Sequence, residues 1–312
     1  MEFYKKRDFG SLIGDSLNFF KIYGKNYFKN YLALNGAVVI LFVIVVVIGY
    51  GDIIKQMMGG NVNGDAYLFE RYFSQNSTML MITSLGVLVL LVLLSVISYS
   101  FPVLYLKRLS ETGNQHITAS EMISDIKSNL MNFLKFFLGA TFILLPIFVV
   151  GFLISSFLMV ILIGFLLMIF LLPIMVNIVN FTLFNLYHTD DGLFRSISKG
   201  FNIQFSKGFW KYIGSTLVMY LIIQVVTSAL IIIPFILLYI KIFTTAGTSA
   251  DVAMNSAVTF VFAVVYIFAI FCSLILSNLI YINAGLMYYD SRYDLQREVT
   301  FSEIDSIGQY EE

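Results

Sequence analysis

The sequence predicts an all-α protein, a polytopic transmembrane helical bundle whose six spans form three hairpins, each preceded by an interfacial amphipathic helix. Three observations predict this fold: an apolar composition, long windows without a charged residue, and an amphipathic pattern that occurs three times. Of the 312 residues, 59% are hydrophobic and 12% are charged, whereas soluble domains carry about 25% charged residues. A water-soluble core of this size could not bury so much apolar surface, so the composition favours a lipid environment.

Five windows contain no Asp, Glu, Lys or Arg, and each is long enough for the roughly 20 residues that a transmembrane helix needs. They cover residues 30–51, 72–106, 136–187, 212–240 and 252–289. The third window has room for two spans joined by a tight turn, which we place between Ser155 and Gly164. The predicted spans are therefore residues 31–50, 78–106, 135–157, 162–187, 211–240 and 255–288.

Lysine and arginine lie mainly on one side of these spans. Sixteen of the nineteen basic residues fall in residues 1–30, 107–135, 188–211 and 289–312. Because basic residues accumulate in cytoplasmic segments, we expect a multi-pass protein of the cell (inner) membrane, of bacterial type, with both termini in the cytoplasm. Residues 1–290 would form a single integral membrane domain, and residues 291–312 a cytoplasmic tail.

An amphipathic segment precedes the first, third and fifth predicted spans. Apolar side chains recur at steps of three or four, which is the period of a helix with one apolar face, in residues 9–27, 122–133 and 193–209. Glycines or asparagines precede each entry into the membrane, at Gly24 and Asn26, at Asn132, and at Gly208, and we expect Gly208 to ease the bend from the surface helix into the fifth span. A unit of one interfacial helix and two spans would thus occur three times, over about residues 8–106, 118–187 and 190–290.

Residues suited to helix N-caps mark where these amphipathic helices begin. Asp8 is expected to cap the first helix, and Thr118 with Glu121 has the spacing of a capping box for the second. Asp190 or Asp191 is expected to cap the third.

Two similar stretches, KNYFKNYLA (25–33) and SKGFWKYIG (206–214), combine lysines and aromatic residues directly before a span. Lysines suit the headgroup region, and tyrosine and tryptophan suit the membrane–water interface. We therefore expect six membrane-interface anchors: Lys25, Tyr27, Lys29, Lys207, Trp210 and Lys211.

The stretches GSLIGDSLNFFKIYGKNYFKNYLALNGAV (10–38) and GLFRSISKGFNIQFSKGFWKYIGSTLVMYLII (192–223) resemble the membrane domain of bacterial glycerophosphoryl diester phosphodiesterases. They are equally similar to related, largely uncharacterised six-span bacterial membrane proteins. In the phosphodiesterases, the resemblance implies a membrane anchor that precedes a soluble catalytic barrel. The polar tail is too short for that barrel, so we expect a stand-alone membrane domain without the catalytic domain or its residues.

Side chains suited to catalysis or metal binding are scarce. The two histidines, His116 and His188, lack the spacing of a metal site with another His, Cys or carboxylate. His188 with Asp190 and Asp191 is the nearest approach to a cluster, and helix-terminus chemistry is the favoured interpretation over ligand binding or proton transfer. We therefore expect no enzyme activity, no catalytic residue, no cofactor, no metal site and no nucleic-acid partner.

Uncharged polar side chains lie within the predicted fourth, fifth and sixth spans. They could form either interhelical hydrogen bonds or a polar path, and the candidates are Asn177, Asn180, Gln224, Thr227, Asn278 and Asn283. In a permease, Asn177, Gln224 and Asn278 would line one continuous cavity.

The leading functional hypothesis is a non-enzymatic membrane scaffold or lipid-interacting protein. Its partners would be the lipid bilayer, anionic lipid headgroups bound by the basic amphipathic segments, and a membrane or cytoplasmic protein. The alternative is a transporter or permease-like component with a polar path among spans 4–6. A third hypothesis is an intramembrane enzyme that acts on a lipid.

Overall fold

The computed structural model describes residues 1–58, 74–245, 265, 268–269 and 271–293, and this part of the chain contains helices and no strand. The predicted all-α bundle is confirmed. The α-helices are α1 (Phe9–Met58), α2 (Ser77–Thr112), α3 (Ala119–Ser128), α4 (Leu130–Gly139), α5 (Leu145–Phe157), α6 (Ile163–His188), α7 (Leu193–Gln204), α8 (Phe209–Thr245) and α9 (Asn278–Ser291).

Six helical segments among the described residues are long and apolar enough to cross a bilayer, and each overlaps one predicted span. They are Phe9–Gly51, Ser77–Thr112, Leu130–Ile161, Ile163–His188, Phe209–Ile232 and Phe271–Ser291. Large apolar side chains such as Ile48, Val160 and Val225 are exposed on them, which is stable against lipid but not against water. The chain is therefore an integral membrane protein. The start of the predicted sixth span and the tail from residue 294 lie outside the described residues.

The third and fourth spans are joined by the tight turn that the sequence predicts. A short 3₁₀ turn (Leu158–Ile161) leads to Leu162, whose φ of 61° is left-handed. Gly164 follows directly, and a β-carbon there would overlap with the backbone of Ser155 and of Met159. Only glycine fits so close an approach of two backbones.

The third span contains a π-helical turn, Ala140–Leu144, between α4 and α5. Pro146 lies at the start of α5, and it has no N–H with which to continue an α-helical hydrogen-bond ladder. The wider π turn keeps the helix continuous at this position because the Leu145 N–H bonds to the Ala140 carbonyl instead.

Two of the three amphipathic segments are separate helices, but the first is not. α3 ends at Ser128 and α7 at Gln204, and the backbone leaves helical geometry at the next residues, Asn129 and Phe205. α1 runs without a break through Gly24 and Asn26, since neither residue removes a backbone donor as proline would.

The helix starts differ in how closely they follow the sequence expectations. The Ser11 N–H donates to Asp8 Oδ1 at 2.7 Å, and Thr118 with Glu121 forms a capping box, so both predicted caps are confirmed. The prediction of Asp190 or Asp191 as the N-cap of α7 is wrong, because Gly192 occupies that position. Asp191 instead accepts a hydrogen bond from Asn185.

The chain forms two compact units. In the first unit (1–30, 99–221 and 278–312), buried aromatic rings such as Phe19, Tyr27 and Tyr105 meet edge to face. In the second unit (31–98 and 222–277), the Tyr50 and Ser84 hydroxyls share a hydrogen bond of 2.6 Å.

Candidate functional site

The first unit contains a cavity of about 400 Å³. Five of its lining residues are basic and one is acidic, so we call it the basic cavity. It is lined by Lys6, Asn185, Lys199, Asn202, Ile203, Ser206, Lys207, Gly208, Lys211, Tyr212, Asp290, Ser291 and Arg292. These residues come from the N-terminal segment, α6, α7, the turn before α8, α8 itself, and the end of α9.

The single carboxylate of the basic cavity, Asp290, accepts three hydrogen bonds from the protein. Its side chain is 1% exposed. Oδ1 accepts from the Arg7 backbone N–H at 2.7 Å, and Oδ2 accepts from Lys211 Nζ at 2.6 Å and from the Tyr212 hydroxyl at 2.7 Å. A buried carboxylate is stable only when it is paired and hydrogen-bonded, and these three bonds tie α9 to α8 and to the N-terminus.

The N-terminal segment is held in place by a buried arginine. Nη1 of Arg7 donates to the Phe3 carbonyl and Nη2 to the Glu2 carbonyl, both at 2.7 Å, and Nε donates to Asp15 at 2.9 Å. The planar guanidinium therefore satisfies several groups of one loop at once. This loop places Lys6 at the edge of the basic cavity, with its Nζ 5.9 Å from the Tyr293 ring centroid.

α7 brings Lys199 to the cavity because its opposite face packs tightly on α6. A β-carbon at Gly200 would lie 3.0 Å from the Ile178 carbonyl oxygen, and Ile197 packs in a cluster with Ile178 and Phe148. Only a helix with glycine at this contact can approach so closely. Lys199 stays exposed at the cavity edge.

The turn before α8 supplies a second exposed lysine. The Gly208 N–H donates to Ser206 Oγ at 3.2 Å, and α8 begins at the next residue, Phe209. Lys207 is exposed on this turn and lines the cavity. The helix N-terminus adds partial positive charge beside it.

Asn185 and Arg292 form the remaining polar wall. Asn185 Nδ2 donates to Ser196 Oγ at 3.2 Å and to Asp191 Oδ2 at 3.0 Å. The hydrogen bond from Asn185, followed by the charges of Arg195 and Lys199, lowers the pKa of Asp191. Nη1 of Arg292 donates to the Tyr288 hydroxyl at 2.6 Å and to Asn185 Oδ1 at 3.4 Å.

The basic cavity is built to attract an anion. Lys211 pairs with Asp290, and the other basic residues that line the cavity are Lys6, Lys199, Lys207 and Arg292. Like charges close together repel one another, and an anion among them removes this cost. Within the described ranges, no three His, Cys, Asp or Glu side chains lie close enough to hold a metal ion.

The predicted membrane-interface anchors occupy three different environments. Lys25 and Lys29 are exposed on α1, and Trp210 is 69% exposed, with its ring edge-on to Phe170. Tyr27 needs a correction, because it is completely buried and its hydroxyl donates to Asn278 Oδ1 at 2.5 Å. The sequence pattern predicts an interfacial position for Tyr27, whereas the residue lies on the buried side of α1.

The two predicted lysine anchors near α8 both line the basic cavity. Lys207 is exposed, whereas Lys211 is engaged with Asp290 and with the Arg7 carbonyl oxygen, the latter at 2.7 Å. Lys211 therefore acts as a structural partner of the buried carboxylate.

The predicted polar residues of α6 and α9 have separate hydrogen-bond partners. Asn177 accepts from Thr216 at 2.7 Å, and Asn180 donates to the carbonyl of its own helix at Val176. Asn283 Nδ2 donates to Ser16 at 2.9 Å and to Ser215 at 2.8 Å. Among the described residues, Asn177 and Asn283 thus bond to different partners on α8, Thr216 and Ser215.

In the second unit, Gln224 is exposed and donates to Ser228 on its own helix at 3.0 Å. The Thr227 hydroxyl is buried and has no hydrogen-bond partner in the part of the chain that the structure describes. None of the six predicted polar residues lines the basic cavity.

His188 belongs to the packing between α6 and α9. Its Nδ1 lies 2.9 Å from the Phe184 carbonyl oxygen and its Nε2 lies 2.8 Å from the Tyr289 hydroxyl. Both ring nitrogens therefore have partners within the bundle, and His188 does not line the basic cavity.

Sequence reasoning missed Arg7, Asn185, Asp290 and Arg292 as site residues. One signal was present, because Asp290 directly ends a charge-free window of the sequence, and an acidic residue at that place needs a partner. The partner, Arg7, is 283 positions away along the chain.

No family model, curated protein or solved structure matches the chain. The function is therefore argued from the geometry of the basic cavity.

Proposed function

We propose that this integral membrane protein is a non-enzymatic lipid-interacting protein that binds the headgroup of an anionic lipid in the basic cavity. The observation that carries the proposal is an excess of basic residues: five basic residues and a single carboxylate line a cavity of about 400 Å³. That carboxylate accepts from three donors, and Lys211 is the one charged side chain among them.

The surroundings of the cavity favour a lipid as the source of the anion. Exposed aromatic side chains flank the two exposed lysines of α7 and its following turn: Phe194, Phe205 and Trp210. Exposed lysines beside exposed aromatic rings are typical of a surface that lies in the membrane–water interface. A headgroup could enter the cavity there while its acyl chains remain in the bilayer.

The orientation is part of the proposal. The basic cavity contains residues from the segments 1–30, 188–211 and 289–312, which the distribution of lysine and arginine assigns to the cytoplasm. The cytoplasmic leaflet is the one that carries negative surface potential. A reporter fused after residue 312 should read out as cytoplasmic, and an external readout would overturn this orientation.

The test compares two pairs of lysine substitutions. Lys199→Ala with Lys207→Ala removes two cavity cations, and Lys25→Ala with Lys29→Ala removes two exposed cations that do not line the cavity. A lysine that also hydrogen-bonds the bound headgroup should contribute about 1 kcal/mol beyond the general surface attraction, so the cavity pair should weaken binding about 30-fold more than the control pair. Binding is measured in nanodiscs that contain phosphatidylcholine alone or with an anionic lipid.

The expected result is a large loss for the cavity pair and a small one for the control pair. Equal losses would mean that the lysines act only through the general surface charge, and the cavity proposal would fail. Binding to nanodiscs that does not depend on the anionic lipid would also overturn it.

The absence of enzyme activity is proposed together with lipid binding. The resemblance to the membrane domain of glycerophosphoryl diester phosphodiesterases supports a role in the membrane. The only carboxylate among the lining residues, Asp290, is 1% exposed and held by three donors, so it is poorly placed to take a proton from a substrate. Release of alcohol from glycerophosphodiesters by the purified protein, above the background of empty nanodiscs, would overturn this part.

A further inference from the structure

We infer that the contact between α6 and α7 contains a binding site for one structural water molecule, held by Thr182 and Gln204. The inference goes beyond the proposed function and does not depend on it, because neither residue lines the basic cavity. It rests on buried polar side-chain atoms that have no hydrogen-bond partner among the described residues.

The amide of Gln204 is the first of these groups. Gln204 is 0% exposed, and neither Nε2 nor Oε1 has a hydrogen-bond partner in the part of the chain that the structure describes. It is the only amide side chain in that part for which both buried atoms lack a partner. Burying an amide without hydrogen bonds is strongly unfavourable, so this side chain indicates a partner that is not a protein group.

The hydroxyl of Thr182 is the second group. Thr182 is buried completely, and its Oγ1 also lacks a partner among the described residues. A hydroxyl within a helix commonly donates to the carbonyl oxygen four residues earlier, as Ser16 does to Leu12 at 2.7 Å. Thr182 does not make this bond to Ile178, so its O–H group is available to a different acceptor.

Both groups belong to the place where α7 approaches α6 at Gly200. A β-carbon at Gly200 would lie 2.5 Å from Thr182 Oγ1 and 3.0 Å from the Ile178 carbonyl oxygen. Gln204 follows one helical turn later on the same face of α7. Long side chains in a helix lean back over the preceding turn, which directs the Gln204 amide toward Gly200, and glycine has no side chain to block it.

A single water molecule matches the spacing and the chemistry of these groups. Side chains four residues apart on a helix are separated by about 6 Å at their β-carbons, so the Gln204 amide is a neighbour of Thr182 Oγ1 without bonding to it. One water can bridge groups up to about 6 Å apart, since each hydrogen bond spans about 3 Å.

The available donors and acceptors also suit water. A buried water makes about three hydrogen bonds, and the hydroxyl, the amide and the second lone pair of the Ile178 carbonyl can supply them. All three groups are uncharged, which favours a neutral ligand over an ion.

The first experiment compares the melting temperature of the full chain in phosphatidylcholine nanodiscs with those of Thr182→Val, Gln204→Met and the double variant. Each substitution keeps most of the side-chain volume and removes the hydrogen-bonding groups. If the water is bound, each single variant should lower the melting temperature by about 4 to 8 °C. The double variant should lower it by less than the sum of the two, because the first substitution already releases the water.

Gln115→Met is the matched control for the chemical change. Gln115 is exposed in the loop between α2 and α3, so this variant should shift the melting temperature by less than about 2 °C. A shift as large as that of Gln204→Met would overturn the inference, because the effect would then not depend on burial.

The second experiment detects the water directly by solid-state NMR of the chain with isotope-labelled glutamine. The side-chain signal of Gln204 is the one that disappears in Gln204→Met. We expect polarisation transfer from water to the Gln204 amide in the unmodified chain, and loss of this transfer in Thr182→Val.

Two further results would overturn the inference. A higher melting temperature for both single variants would show that the polar atoms have no partner, because an apolar replacement then removes an unpaired buried group. A lower melting temperature without transfer from water to Gln204 would show that the partner is a protein group. Neither result bears on anionic-lipid binding, which is measured separately.

Discussion

Replacing Asp290 by asparagine should lower the stability of the fold and raise the affinity of the basic cavity for anions. Asp290 is buried and accepts from Lys211, Tyr212 and the Arg7 backbone N–H. An asparagine amide offers one oxygen in place of two, and its NH₂ group would face at least one of these donors. The change keeps the volume of the side chain and removes its charge.

The loss of stability follows from the broken ion pair. Removing one partner of a fully buried pair costs about 3 to 5 kcal/mol. The Lys211 side chain is 26% exposed, so water partly compensates for its lost partner. We therefore expect a loss of about 2 kcal/mol in the free energy of unfolding.

The gain in affinity follows from the same change in charge. Two unit charges about 5 Å apart interact with about 0.8 kcal/mol at the dielectric constant of water. Removing the Asp290 charge should therefore tighten the binding of an anion in the cavity about fourfold. Stability and affinity thus move in opposite directions, which a nonspecific defect in folding would not produce.

Thermal unfolding can be followed with a thiol-reactive dye, because Cys272 is the single cysteine of the chain and is free. Affinity is measured by titration of an anionic lipid in nanodiscs. Glu111→Gln is the control, since it removes one negative charge at an exposed position of α2 that does not line the cavity. An unchanged melting temperature for Asp290→Asn, or weaker anion binding, would refute the reasoning.

Three further predictions concern other parts of the molecule. Gly164→Ala should lower the free energy of unfolding by about 1 to 3 kcal/mol, because its β-carbon meets backbone atoms. Gly36→Ala is the control, since nothing lies within 4 Å of a β-carbon there. Equal melting temperatures for the two variants would contradict this prediction. Hydrogen bonds from Thr118 lower the pKa of Glu121 below 4.5. The cap should therefore stabilise α3 above that pH, and this stabilisation should be lost as the pH falls through the lower pKa of the folded state. Hydrogen exchange of the first turn of α3 measures this, and Glu121→Gln should remove the pH dependence while keeping the cap. The fluorescence of Trp210, the single tryptophan, should be quenched strongly by brominated lipids and weakly by iodide; the reverse order would place it in water.

Much of the fold could be predicted because the membrane imposes simple local rules. A helix that crosses a bilayer needs about 20 apolar residues with few charges, and such windows are visible in the sequence. The turn near Gly164 and the capping box at Thr118 were also predictable, since each depends on a few consecutive residues. These features need no knowledge of how the helices pack.

The candidate site was only partly predictable. Lys207 and Lys211 stood out because they flank the single tryptophan, and the sequence favoured an interfacial role for both. Their different environments could not be predicted: Lys211 pairs with Asp290, whereas Lys207 stays exposed. Which of the two lysines pairs with Asp290 depends on the position of α9, whose residues are far from both lysines in the sequence.

By itself, the sequence determined that this protein is a helical membrane protein with its basic residues concentrated on one side of the spans. Hydrophobicity and charge act on each segment separately, so they can be judged residue by residue. The tertiary structure alone decided that Tyr27 is buried against Asn278 and that Arg7 and Asp290 meet. Hydrogen bonds and ion pairs between distant segments depend on helix rotation and packing, and no local pattern in the sequence specifies those.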